Sequence, residues 1–224
     1  MSLITPPPRT SSLVYDRMRE LIRSGAWAVG SRIPPEGDLV RDFGVGRNTI
    51  REAVRALEHA GLLVPRRGDG TYVRSRNPLT AAIEQCAPTV ELSDLLATRR
   101  ALESEAAAAA AVRATTDEVD AIRAHLTGAQ QALDDGDLDR HVAADLRFHT
   151  AIVAASGNAL LIELYDGIGE AMRRSHPSLA AATSAHDDYP EGHAAVLDAI
   201  ADGDANAARA AVFRYVDDAL AAIE

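Results

Sequence analysis

Residues 33–73 read IPPEGDLVRDFGVGRNTIREAVRALEHAGLLVPRRGDGTYV. Leu39, Val40 and Phe43 give a short apolar face beginning near Glu36, and Gly44-Val45-Gly46 then breaks the pattern. The spacing predicts a helix of about two turns followed by a tight turn. From Arg47 the chain reads RNTIREAVRAL, with Ile50, Val54 and Leu57 on one face and Arg47, Arg51 and Arg55 together on the other. Gly61 ends this second helix. Leu62-Leu63-Val64-Pro65 and Thr71-Tyr72-Val73 read as two short strands around the turn Arg66-Arg67-Gly68-Asp69-Gly70. A short helix, a glycine turn, an arginine-bearing helix and a two-stranded wing form the pattern of a winged helix-turn-helix. The second helix fits a DNA major groove. Arginine offers a planar fork to guanine or phosphate there, and Asn48 and Thr49 add polar groups at the same end.

Upstream, Leu13, Val14, Met18, Leu21 and Ile22 recur at helical spacing behind Ser11 and Ser12, which are read as caps, and Gly25 closes this first helix. Downstream, the polar stretch Ser75-Arg76-Asn77-Pro78 marks a boundary, dividing the chain into a head, 1–76, and a body, 77–224. Charge follows the same division. The head holds 13 Arg against 8 Asp and Glu, whereas the body holds 10 Arg against 25, so the net charge of −10 conceals a basic head on an acidic body.

The 224-residue chain contains no lysine at all. This excludes a P-loop, a pyridoxal Schiff base and a protein-kinase site, each of which requires one. Cys86 is the single cysteine, so no internal disulfide or multi-cysteine cluster forms; it reads as a small core residue. No apolar run approaches the ~20 residues of a membrane helix, and the N-terminus lacks a signal core, so a cytoplasmic location is expected.

From Ser93 onward the body reads as successive helices without strand alternation. The expected elements run from Asp94 through Ala114, from Thr116 to before Gly136, from Asp137 to Ser156-Gly157, from Asn158 to before His176-Pro177, from about Pro190 to Asp202, and from Asp204 onward. The run Ala106 to Ala111 suits close helix packing. The expected fold is therefore mainly α, a winged helix-turn-helix with a small two-stranded wing followed by an all-α bundle. Asp145 and His149 lie four apart, on one helix face, where two side chains can hold one ion; a histidine satisfied by its neighbouring aspartate is the plainer alternative. His125, His141, His176 and His186 have no such spacing partner and read as surface residues.

The head segment resembles the winged helix-turn-helix of the GntR family of bacterial transcription regulators over about 60 residues. The resemblance implies recognition-helix contacts from Arg47, Asn48, Thr49 and Arg51, with Arg66, Arg67, Gly68 and Gly70 at the wing. Gly37 stands where family members usually carry arginine, and Gly46 where they usually carry Ser or Thr. In the body, Arg99-Arg100-Ala101-Leu102-Glu103, Asp145-Leu146-Arg147-Phe148-His149, Ala155-Ser156-Gly157-Asn158 and Glu191-Gly192-His193 resemble, in order and spacing, the effector-binding FCD domain of the FadR subfamily.

That resemblance implies a homodimer on a double-stranded DNA operator, with a small carboxylate or acyl effector held by Arg99, Arg147 and Tyr215. It also implies a divalent metal, zinc or nickel, on Asp145, His149 and His193, although Tyr215 occupies the place of the usual third histidine. For Arg99 the alternative is a surface ion pair with Glu103. A metal-dependent hydrolase using the Asp/His/His set is the alternative function.

Overall fold

The computed structural model describes residues 9–86, 89–175 and 189–221. The chain forms two compact units, Met1–Ala82 and Ile83–Glu224.

In the first unit, α1 (Thr10–Arg23), α2 (Glu36–Phe43) and α3 (Arg47–His59) precede β1 (Leu63–Arg66) and β2 (Gly70–Val73). Helix α1 buries Val14, Met18 and Ile22, one residue per turn. Leu13 was expected on this stripe but is 55% exposed, because adjacent residues diverge by about 100° around a helix. The cap lies earlier than Ser11, at Arg9. Helix α2 ends at Gly44, whose φ of 65° is left-handed and suits a residue without Cβ. Helix α3 turns Ile50, Ala53 and Leu57 inward, and these meet Met18, Ile22, Leu39 and Leu62 in one apolar core. The wing pairs antiparallel, Leu63 opposite Val73 and Arg66 opposite Gly70. A third segment, not apparent from the sequence, joins it: Ile33 N donates to Thr71 O at 2.9 Å, and Val73 N donates to Ser31 O at 2.9 Å.

Helix α4 (Pro78–Cys86), also unexpected, leads from the first unit into the second. Cys86, in its last turn, is exposed rather than a core residue. In the second unit, α5 (Leu92–Arg113), α6 (Thr116–Asp134), α7 (Leu138–Ala155), α8 (Ala159–Ser175), α9 (Tyr189–Ala201) and α10 (Ala205–Ala221) form a bundle. Helix α5 packs against α7, α8, α9 and α10. Ala106, Ala107 and Ala110 are fully buried, and their small side chains let neighbouring helices approach. Leu96, Ile122, Phe148, Ile152, Val196 and Val212 fill the core around them. Thr115 and Glu118 cap α6 reciprocally, and Asp137 caps α7 by accepting from Arg140 N at 3.0 Å. His141 is fully buried, its Nδ1 2.8 Å from Ala129 O, which corrects its reading as a surface residue; α7 turns it toward α6. His125 is half-buried, while His176 and His186 lie outside the described residues.

Candidate functional site

The head presents its basic groups at the start of α3. Arg47, Asn48, Arg51 and Arg55 are exposed and Thr49 is half-buried. Arg51 is already paired: its Nε donates to Glu36 Oε2 at 2.7 Å, although 57% of its side chain stays exposed. Glu36 opens α2, where a carboxylate is favoured by the helix dipole. Between α2, α3 and the wing lies a cavity of about 440 Å³ whose lining includes Arg32, Glu36, Arg51, Arg55 and Gly70. At the wing, the Arg66 guanidinium stacks 3.9 Å from the Tyr72 ring centroid, and Tyr72 Oη donates to Asp69 Oδ2 at 2.8 Å. Gly68 and Gly70 have φ of 77° and 128°. A Cβ on Gly70 would meet Arg32 Nε at 2.5 Å, so glycine makes room for that arginine. Arg67 is exposed at the turn. The sequence reading did not single out Arg32 or Glu36; only the folded chain brings them to α3.

In the body, α7 supplies Asp145 and His149 from one face, and α9 brings His193, distant in sequence, beside them. His149 Nε2 lies 3.1 Å from Asp145 Oδ1 and 3.1 Å from His193 Nε2, and Asp145 Oδ1 lies 3.5 Å from His193 Nε2. Metal–nitrogen bonds of about 2.0–2.1 Å give ligand-to-ligand spacings of roughly 3.0 Å in an octahedron and 3.4 Å in a tetrahedron. The observed triangle fits both. Two imidazole Nε2 atoms this close also need a proton or a cation between them, since two lone pairs repel. The donor set therefore suits a divalent ion.

A second layer lies beneath, and the sequence reading missed it. Glu103 is fully buried, not the surface partner of Arg99 that the i, i+4 spacing suggested. Its Oε1 pairs with His149 Nδ1, while Oε2 accepts from Arg99 Nε at 3.0 Å and from Tyr165 Oη at 3.1 Å. No spacing rule could have found Tyr165, which comes from α8. Burial pushes the Glu103 carboxyl up, but the charges of His149 and Arg99 outweigh this and hold it well below the usual range. Asp145 behaves likewise, with burial opposing the stronger pull of His149. For His149, burial disfavours the imidazolium and Arg99 opposes it too, yet Glu103 and Asp145 prevail and raise its pKa.

Tyr215 projects from α10 into this group, its ring 4.9 Å from that of His193 and 5.6 Å from that of His149. Burial and the Glu103 charge raise its pKa. Its hydroxyl makes no hydrogen bond of acceptable geometry to Glu103 or to any other described residue. Gly192 leaves room for it: a Cβ there would stand 2.9 Å from Tyr215 Cβ. Phe148 supports both imidazoles, edge-on to His149 at 5.1 Å and tilted against His193 at 5.3 Å. Of the three expected effector residues, the fold gathers Arg99 and Tyr215 here, whereas Arg147 is exposed on α7.

A winged helix-turn-helix followed by a helical domain with a buried polar centre defines a DNA-binding transcription regulator. Residues 10–73 match the family described as bacterial regulatory proteins, gntR family, and residues 94–218 match the FCD domain. The chain belongs to the GntR family, in its FadR-type architecture. It is 33% identical over 96% of its length, and 86% of the relative's, to the Escherichia coli K12 protein named "Putative L-lactate dehydrogenase operon regulatory protein". To the Uxu operon transcriptional regulator of the same strain it is 30% identical, covering 97% of this chain and 88% of that one. Among solved structures, Streptococcus agalactiae GntR superposes with a TM-score of 0.59 at 28% identity, covering 94% of this chain and 99% of that one.

Proposed function

We propose that the protein is a homodimeric, cytoplasmic regulator whose affinity for operator DNA changes when a small carboxylate binds beside a divalent ion in the C-terminal bundle. What carries the reading is the convergence of Asp145, His149 and His193 near the half-buried Arg99, in a chain that also has an arginine-lined winged helix-turn-helix. Arg47, Asn48, Thr49 and Arg51 enter the major groove, and Arg66, Arg67, Gly68 and Gly70 follow the backbone at the adjoining groove. The pair with Glu36 aims Arg51, at the expense of one of its donors. Among the described residues no helix is long and apolar enough to cross a membrane.

In the bundle, Asp145, His149 and His193 would hold zinc or nickel, and the ion would polarise and anchor a carboxylate oxygen. Counting Arg99 and a divalent ion against Glu103 and Asp145, with neutral imidazoles, the centre carries a single positive charge. That balance suits a monocarboxylate. Arg99 Nε is committed to Glu103, so an effector carboxylate meets the two Nη groups, and the Tyr215 hydroxyl is placed to donate. Arg147 stands apart from this set and would serve the effector only through a neighbouring surface. The relative named for an L-lactate dehydrogenase operon points to a short 2-hydroxycarboxylate. A hydrolase has no support among the relatives, which are named as regulators.

Thermal shift of the full chain, with zinc or nickel and then with L-lactate added, tests the reading. A ligand of the native state raises the melting temperature by mass action, and the expected result is a rise with metal and a further rise with lactate. No rise with either metal would refute the ion site.

A further inference from the structure

Asp145, His149 and His193 supply the three ligands of the ion site, and Glu103 is not one of them. We propose that Glu103 is a positioning residue of the ion site: by accepting the proton of His149 Nδ1 it fixes the imidazole tautomer and turns the Nε2 lone pair toward Asp145 and His193. The inference rests on the ion site proposed above.

The geometry gives Glu103 little other use. It is fully buried on α5, where a carboxylate is tolerated only if every oxygen is matched. Its oxygens are divided between two tasks. Oε2 takes two donors, Arg99 Nε at 3.0 Å and Tyr165 Oη at 3.1 Å, from α5 and α8. These hold the carboxylate in one orientation, which leaves Oε1 for His149 Nδ1. Which nitrogen of a histidine carries its proton is set by the partner of the other nitrogen. With Nδ1 as donor, Nε2 is the basic atom, and Nε2 is the atom 3.1 Å from both Asp145 Oδ1 and His193 Nε2. The ring also leans edge-on against Phe148, so both its tilt and its tautomer are held from behind. Arg99 and Tyr165 thus act on the ion at one remove, through Glu103.

Glu103→Gln tests this because the amide cannot satisfy both tasks. Two donors at the Oε2 side outvote one at the other, so the amide oxygen faces Arg99 and Tyr165, and its NH2 faces His149 Nδ1. The proton then moves to Nε2 and the lone pair is lost to the ion. Removing a negative charge also weakens a cation site by Coulomb's law alone. Arg99→Leu/Glu103→Leu controls for that, since it deletes the pair without changing net charge and leaves no buried charge unpaired if Glu103→Gln fails to fold. Zinc affinity of the full chain is measured by competition with a chromophoric chelator, with circular dichroism to establish folding.

The expected result is tight binding by the wild type and a loss of about 10–100-fold in each folded variant, the range found when partners of metal-bound histidines are removed. Wild-type affinity in the folded double variant would overturn the role of Glu103 while leaving the ion site standing. A wild type that binds no zinc would overturn both.

Discussion

Replacing Gly192 by alanine pits helix propensity against packing. In a helix interior this exchange ordinarily gains about 0.5–1 kcal/mol, because glycine loses more backbone entropy on folding. Gly192 is in α9 and its new Cβ would stand 2.9 Å from Tyr215 Cβ. That atom is fixed to the α10 backbone and cannot swing aside, so α9 and α10 must separate, which costs about 1–3 kcal/mol as overpacking. Gly128, in α6, is the matched control, since a Cβ there meets nothing within 4 Å. Propensity cancels between the two variants and only the overpacking remains. At about 2–4 °C per kcal/mol for a chain of this size, Gly128→Ala should melt on the order of 2–12 °C above Gly192→Ala by circular dichroism. His193 follows Gly192 directly, so zinc binding should weaken in Gly192→Ala alone. Equal melting temperatures in the two variants would refute the contact between Gly192 and Tyr215.

Thr115→Ala removes the half of the α6 capping box in which Thr115 Oγ1 accepts from Glu118 N, while the Thr115 backbone N–H still donates to Glu118, and should lower stability by about 1 kcal/mol, read as a fall of about 2–4 °C in melting temperature. Arg51→Ala should weaken operator binding by about 1–3 kcal/mol and reduce the slope of log affinity against log salt by about 1 per subunit, measured by fluorescence anisotropy at several salt concentrations. In chelator, the raised pKa of His149 contributes stability that is fully present below its unfolded value of 6.5 and is lost as pH rises through the folded value. Melting temperature should therefore fall from pH 6.5 upward, while zinc affinity rises over the same interval; a melting temperature that climbs there would contradict the assignment.

The head was legible because its determinants are local. Gly44 at a left-handed turn, the Ile50 and Leu57 face, and the arginines opposite it all lie within one short stretch. Spacing likewise placed Asp145 beside His149, one helical turn apart. Glu103 escaped because burial is a property of the bundle: Arg99–Glu103 at i, i+4 looks the same on a surface as inside. Tyr165, 62 positions from the carboxylate it serves, has no sequence signal at all. His141 and Cys86 exchanged their expected places for the same reason, since one is turned toward α6 and the other sits at the exposed end of α4. The strand-like segment before Pro34 was hidden by its glycine and prolines, and pairing with Tyr72 reveals it.

The most direct test of effector control through the bundle is the affinity of the full chain for a DNA fragment selected from random sequence, with zinc present, before and after L-lactate is added. In the wild type, lactate should change the Kd about 5–150-fold, the usual span of a coupling between two sites. His149→Ala/His193→Ala should bind the same fragment and show no response to lactate. A wild-type Kd that does not move with lactate or with other short 2-hydroxycarboxylates, or a variant that responds as the wild type does, would contradict the account.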